Sequence, residues 1–179
     1  MTGLQEFVRI PKARIAILIG KHGATKKDIE QKTKTKIIVD SEEGEVEIKS
    51  KIENTTGFYT ALNIIKAIAR GFSPEHAFLL LNENNALEII SLTDWLKGSE
   101  KELKTKRGRI IGKQGKARNE IEEKTNCFIS VQGKTIAIIG DLGEIPKAKK
   151  SIEMLLHGAR HSKVYDFLNH PIEKEEFEF

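Results

Sequence analysis

The chain has 179 residues, 39% of them hydrophobic and 31% charged, a balance that suits a folded globular protein and excludes an intrinsically disordered one. No apolar run is long enough to cross a bilayer, and the opening Met1-Thr2-Gly3-Leu4-Gln5 lacks the basic and apolar regions of a signal peptide, so a cytoplasmic protein is expected. The net charge of +4 is too modest to name a partner, and a single cysteine, Cys127, excludes an internal disulfide or a multi-cysteine metal site.

In chain order, Glu6 to Ile10 alternates and carries Phe7 and Val8, which predicts a strand closed by Pro11. Ala13 to Ile19 is a short apolar stretch read as a helix ended by Gly20, and a second helix is expected from Ala24 to Lys34 with Ile29 facing inward. Lys36 to Asp40 and Glu45 to Ser50 read as the strands of a hairpin turning at Ser41-Glu42-Glu43-Gly44. From Phe58 to Arg70 the residues Leu62, Ile65 and Ile68 recur at a helical period, with Gly71 placed to cap the helix. Ser73-Pro74-Glu75 starts a further helix that runs to about Leu81 and breaks at Asn82-Glu83-Asn84-Asn85, the candidate linker.

The order then recurs. Leu87 to Leu92 is a predicted strand, Thr93 to Glu102 an insertion holding the lone Trp95, and a helix leads to Gly112. A second helix covers Lys116 to Lys124, and hairpin strands cover Cys127 to Val131 and Thr135 to Ile139. Helices over Pro146 to Leu156, ended at Gly158, and over His161 to Leu168 complete the copy. Two domains are therefore expected, residues 1–82 and 83–179. Units of about 80 residues bury only about 60% of their unfolded surface, so the halves are expected to pack as a pseudo-symmetric pair.

The repetition reaches single residues. Ile19-Gly20-Lys21-His22-Gly23 precedes Ile29-Glu30-Gln31-Lys32-Thr33 and Ile37, and 92 residues later Ile111-Gly112-Lys113-Gln114-Gly115 precedes Ile121-Glu122-Glu123-Lys124-Thr125 and Ile129. A Gly-x-x-Gly turn between two helices lets backbone approach a phosphate closely, and the helix that follows points its positive end at the same spot. One such turn is weak evidence, but two in the same frame are not a chance match. The units resemble KH domains, in which this loop clamps about four nucleotides of single-stranded backbone while an apolar groove reads the bases.

The resemblance narrows further. Arg107-Gly108-Arg109-Ile110-Ile111-Gly112-Lys113-Gln114-Gly115-Lys116 with Arg118 and Ile121-Glu122, then Val131-x-Gly133-Lys134-Thr135 and His157-Gly158-x-x-His161, are similar to the second KH domain of the archaeal pre-ribosomal RNA processing family, the counterpart of the eukaryotic partner-of-Nob factors. It covers nearly the whole chain. It implies an α+β protein of two tandem type I KH domains, each β-α-α-β-β-α with a three-stranded antiparallel sheet and helices on one face. It also implies binding near the 3′ end of 16S ribosomal RNA in small-subunit biogenesis and pre-rRNA processing. The partners implied are a Nob-type endonuclease and the α subunit of archaeal initiation factor two. A monomer without cofactor or metal is expected, as is the absence of enzymatic activity, since no serine, cysteine and histidine grouping suggests a nucleophile.

The candidate RNA-binding residues are Gly20, Lys21, His22, Gly23 and Lys26 in the first unit, and Arg107, Arg109, Ile111, Gly112, Lys113, Gln114, Gly115, Lys116 and Arg118 in the second. Lys26 and Arg118 stand where most KH domains carry an aliphatic residue. They either turn to solvent or add phosphate and base contacts through charge or stacking. Asp40, Glu42, Glu43, Glu45 and Glu47 crowd the first hairpin, while eight cations fall between Lys101 and Arg118. Like charge beside a polyanion costs affinity, so the first turn is expected to contribute less, and its acidic edge leaves open an alternative role as a protein-interaction scaffold or an exosome-type RNA-binding subunit. A nucleotide site is rejected, because Gly108 to Gln114 has the wrong spacing and ending for a P-loop. His157 and His161 have no partner that would complete a zinc site.

Overall fold

The computed structural model describes residues 3–95 and 99–170. The chain divides into two compact units, Met1–Leu87 and Glu88–Phe179, a boundary inside a strand and a few residues beyond the expected Asn82.

In the first unit β1 (Leu4–Arg9), α1 (Lys12–Ile19), α2 (Ala24–Thr33), β2 (Lys36–Asp40), β3 (Glu45–Ser50) and α3 (Thr55–Ala69) follow in order, with a short α4 (Pro74–Ala77) after them. The sheet order is β1-β3-β2, antiparallel throughout. The second unit has β4 (Asn85–Ser91), α5 (Glu100–Ile111), α6 (Lys116–Thr125), β5 (Phe128–Gln132), β6 (Thr135–Asp141), α7 (Ile145–Leu156) and α8 (His161–Asn169), with sheet order β4-β6-β5. The tandem α+β arrangement matches the expectation from sequence.

The periods explain the cores. Inward residues Leu18, Ile29 and Ile37 of the first unit and Ile110, Ile121 and Ile129 of the second, each pair 92 residues apart, are buried. Thr33 and Thr125 are buried too, and each hydroxyl donates to the carbonyl four residues back, Ile29 at 2.6 Å and Ile121 at 2.7 Å, so neither polar atom is stranded. The helices α3 and α7 end alike. Gly71 and Gly158 take positive φ, the Gly71 and Gly158 N–H groups reach Ile68 O and Leu155 O, and the next N–H groups, Phe72 and Ala159, reach Ala67 O and Met154 O. This six-to-one and five-to-two pattern satisfies carbonyls that a helix end leaves open.

One boundary differs from the reading of the sequence. Part of the expected insertion is helix: α5 starts at Glu100, and Ser99 Oγ accepts from Glu102 N–H at 3.1 Å as its cap. Leu92–Trp95 forms a single 3₁₀ turn before it, and Trp95 packs edge-on against His157 with ring centres 4.6 Å apart.

Cys127 is buried, and burial pushes its thiol above the ordinary range, Glu144, Asp141 and Glu122 adding to the shift against a hydrogen bond to Thr125 that lowers it. A thiol that stays protonated is a poor nucleophile. A thiol-reactive dye is expected to leave native protein unlabelled and to react once denaturant unfolds it; fast labelling in buffer would contradict this burial.

Candidate nucleic-acid interface

Both turns take one shape. Gly20 and Gly112 have φ 74 and ψ 175, His22 and Gln114 lie in the left-handed region at φ 53 and 54, and Gly23 and Gly115 follow at φ 77 and 76. A left-handed conformation costs a residue with a side chain about 1–2 kcal/mol, and two different residue types accept it here in the same place.

The two glycines of each turn answer different demands. A Cβ on Gly20 would stand 2.3 Å from Thr25 Oγ1 and 2.8 Å from its backbone nitrogen, and one on Gly112 would stand 2.7 Å from Ala117 N and Cβ. The first glycine is therefore what lets α1 and α5 pass directly into the next helix. The second faces open ground: nothing lies within 4 Å of a Cβ on Gly23, and only the Asn119 side chain, at 3.9 Å, near one on Gly115. That space lies at the start of α2 and α6, whose first turns carry no side-chain cap. An anion placed there meets backbone N–H groups and the positive helix end. Lys21, His22, Lys113, Gln114 and Lys116 are all exposed around it.

Behind each turn a carboxylate bridges helix and sheet edge. Glu30 Oε1 accepts from Ile37 N–H at 2.7 Å while Lys26 Nζ lies 3.3 Å away, and Glu122 Oε1 accepts from Ile129 N–H at 2.7 Å while Arg118 Nε lies 3.9 Å from Oε2. Lys26 and Arg118 thus do not simply turn to solvent. Each is half-buried beside an acid that is itself anchored to the edge strand. The buried Nε atoms of Arg107, on α5, and Arg118, on α6, have no hydrogen-bond partner among the described residues. Such donors cost stability until something accepts from them. Ile111 is half-buried at the end of α5.

Arg109 is a different case. Its Nε donates to Leu155 O at 3.1 Å and its Nη2 to Ala159 O at 2.6 Å, so its fork is spent on the C-terminal end of α7. Lys106 Nζ donates to Leu156 O at 2.5 Å, and His161 Nε2 meets Arg109 O at 2.9 Å. Arg109 and Lys106 close the negative end of the helix, which takes Arg109 away from the donors expected to face RNA. The first unit reaches the same end from another position: Arg14 donates to Ile68 O at 2.8 Å and Phe72 O at 2.6 Å. Arg14 aligns with Lys106 and not with Arg109 in the repeat, so the two guanidinium clamps start one helical turn apart, and comparison of the two copies could not find them.

Truncating this clamp should harm the fold more than the interface. Arg109→Ala is expected to lower stability by about 2 kcal/mol, the scale of charge-assisted bonds to backbone, and Arg109→Lys should recover little because it lacks the fork. Chemical denaturation measures the loss, and RNA affinity of the folded variant should stay close to that of the parent.

The acidic hairpin is tied to the entry of α1. Gly44 O accepts from Ile10 N–H at 2.9 Å, which sets the hairpin at the start of α1, whereas Gly20 follows its last residue. Asp40 Oδ1 is also engaged, accepting from Glu42 and Glu43 N–H.

Residues 5–56 match the KH domain family, and residues 86–173 match the family described as eukaryotic type KH-domain (KH-domain type I). Fold and turns define a two-unit type I KH protein. Over 171 residues the chain is 40% identical to a KH domain-containing protein of Methanocaldococcus jannaschii, covering 94% of this chain and 74% of that one. The RNA-binding protein pno-1 of Caenorhabditis elegans is 29% identical over 69% of this chain and 46% of its own. The crystal structure of Dim2p from Pyrococcus horikoshii is 52% identical, with TM-score 0.85 over 92% of this chain and 98% of that one. A chain in the complex of a/eIF2alpha, aDim2p and rRNA from the same organism is 52% identical, with TM-score 0.86 over 93% and 92%. The chain belongs to the archaeal KH-domain pre-ribosomal RNA processing family.

Among the described residues no helix is long and apolar enough to cross a membrane, and no group of three His, Cys, Asp or Glu could hold a metal.

Proposed function

We propose that this protein binds single-stranded RNA of the small ribosomal subunit near the 3′ end of 16S rRNA and assists pre-rRNA processing without itself being an enzyme. Gly20–Gly23 with Lys26 and Gly112–Gly115 with Lys116, Arg107 and Arg118 receive the RNA. The observation that carries this reading is the pair of identical turns, each with open ground before its second glycine and an uncapped helix start behind it. The complex of a 52% identical relative with rRNA and a/eIF2alpha supports the RNA class and the α subunit of archaeal initiation factor two as a partner. A Nob-type endonuclease as a second partner, a cytoplasmic location and a monomeric state complete the proposal.

The experiment is a titration with an oligonucleotide of the 16S 3′-end sequence and a scrambled control at two salt concentrations. Preference for the first, weakening as salt rises, supports the reading. Equal affinity for both would reduce it to general RNA binding, and no affinity for either would leave a protein-interaction scaffold.

A further inference from the structure

The sheet of the first unit carries a cluster of cations that the second lacks. Lys36 on β2 stands directly across from Lys49 on β3, and like charges in facing positions destabilise an antiparallel pair. Lys34, at the end of α2, holds a left-handed φ of 53, where the second unit has Asn126 at φ 50, a residue that takes this conformation more readily. Lys51 follows at the end of β3. These four lysines, with Gly3 and Ile52, line one open groove of about 920 Å³, large enough for a small ligand or a segment of chain. Lys34, Lys36 and Lys51 are exposed, and Ile52 is 55% exposed. Glu47 at 2.7 Å offsets Lys49 in part, and among the described residues Glu53 is the one acid in the lining. At the matching places the second unit has Asn126, Phe128, Ile139 and Asp141, with no cation.

A facing lysine pair and a lysine in a strained conformation are local costs that packing does not repay, and such departures concentrate at functional sites. We propose that this groove is a second anion site that holds the phosphate backbone of single-stranded RNA, beyond the first Gly-x-x-Gly turn. It rests on the RNA-binding reading above. The turn lies at the start of α2 and the groove at its end, about 15 Å away for ten residues, so a strand clamped at Gly20–Gly23 can reach both. Lysines are flexible point charges without the rigid fork that fixes a carboxylate, which suits sequence-independent contact with successive phosphates. Ile52 adds an apolar surface where a base can rest.

The test uses the full chain with Lys36→Gln, Lys49→Gln and Lys51→Gln together, titrated with a single-stranded RNA of roughly 20 nucleotides and with one of roughly 5 that fills only a turn, since a KH loop clamps about four. Affinity for the long RNA should fall at least about tenfold near 0.1 M salt, and the slope of log affinity against log salt should shrink by about 2, as for three lost phosphate contacts. Affinity for the short RNA should hold, and the melting temperature should hold or rise as the Lys36–Lys49 repulsion goes. An unchanged long-RNA affinity and slope, or equal losses for both lengths, would overturn the proposal. Binding of a polyglutamate peptide that is lost in the variant while long-RNA affinity holds would assign the groove to acidic protein instead. If the parent protein binds neither RNA, the proposed function falls first and this site with it.

Discussion

Replacing Lys113 and Gln114 with Asp is expected to lower affinity for single-stranded RNA by about a hundredfold near 0.1 M salt. The pair removes one positive and adds two negative charges at an exposed turn whose second glycine faces open space. A change of three charges against a single strand alters the salt slope by about 2, which at that salt is two orders of magnitude. The substitutions leave both glycines and the buried face of α6 untouched, so the fold should survive. The matched change of Lys21 and His22 should also weaken binding, because the dihedral angles agree within a few degrees, and by less, because five acids crowd the first hairpin. Binding isotherms at two salt concentrations read both losses. A loss confined to one turn would show that only that copy clamps RNA.

The glycines should separate cleanly. Gly112→Ala combines positive φ with a Cβ 2.7 Å from the backbone nitrogen and the Cβ of Ala117, atoms of a buried helix start that cannot yield without moving α6. Strain of this kind and overpacking each cost about 1–3 kcal/mol, so a loss of about 3–5 kcal/mol is expected, enough to unfold a marginal unit. Gly115→Ala meets only the Asn119 side chain at 3.9 Å and carries the φ cost alone, about 1–2 kcal/mol. Its methyl group does enter the space where a phosphate would sit. Thermal melts should therefore rank Gly112→Ala well below Gly115→Ala, while RNA binding by the folded Gly115→Ala protein should weaken clearly. Equal melting temperatures would contradict the assignment of the first glycine to helix passage and the second to the ligand.

Much of this was legible in the chain because two signals coincide. Apolar residues at period two and period 3.6 mark β1 to α3, and the 92-residue repeat marks the same order again, so each copy corrects the other. The turn was legible because it occurs twice in the same frame, where a single Gly-x-x-Gly would be weak evidence. What stayed hidden depends on contacts distant in sequence. Arg109 reads as a groove cation, and only the approach of Leu155 O and Ala159 O shows that its fork holds the end of α7. Arg14 does the same from a different register, so the repeat concealed the equivalence. Glu30 and Glu122 each take an edge-strand N–H seven residues on, a link that spacing alone does not announce. The start of α5 does carry a signal, Ser99 followed by Glu102, the capping-box pattern, although the stretch has no counterpart in the first unit.

The central claim is that RNA sits on the two Gly-x-x-Gly turns. Backbone amide NMR of the full chain during titration with a single-stranded 16S 3′-end oligonucleotide tests it most directly. The largest shifts should fall on Gly20 to Lys26 and Gly112 to Arg118, where the open backbone and the helix starts meet the phosphate. Saturable binding with those amides unmoved, and the shifts gathered elsewhere on either unit, would contradict it.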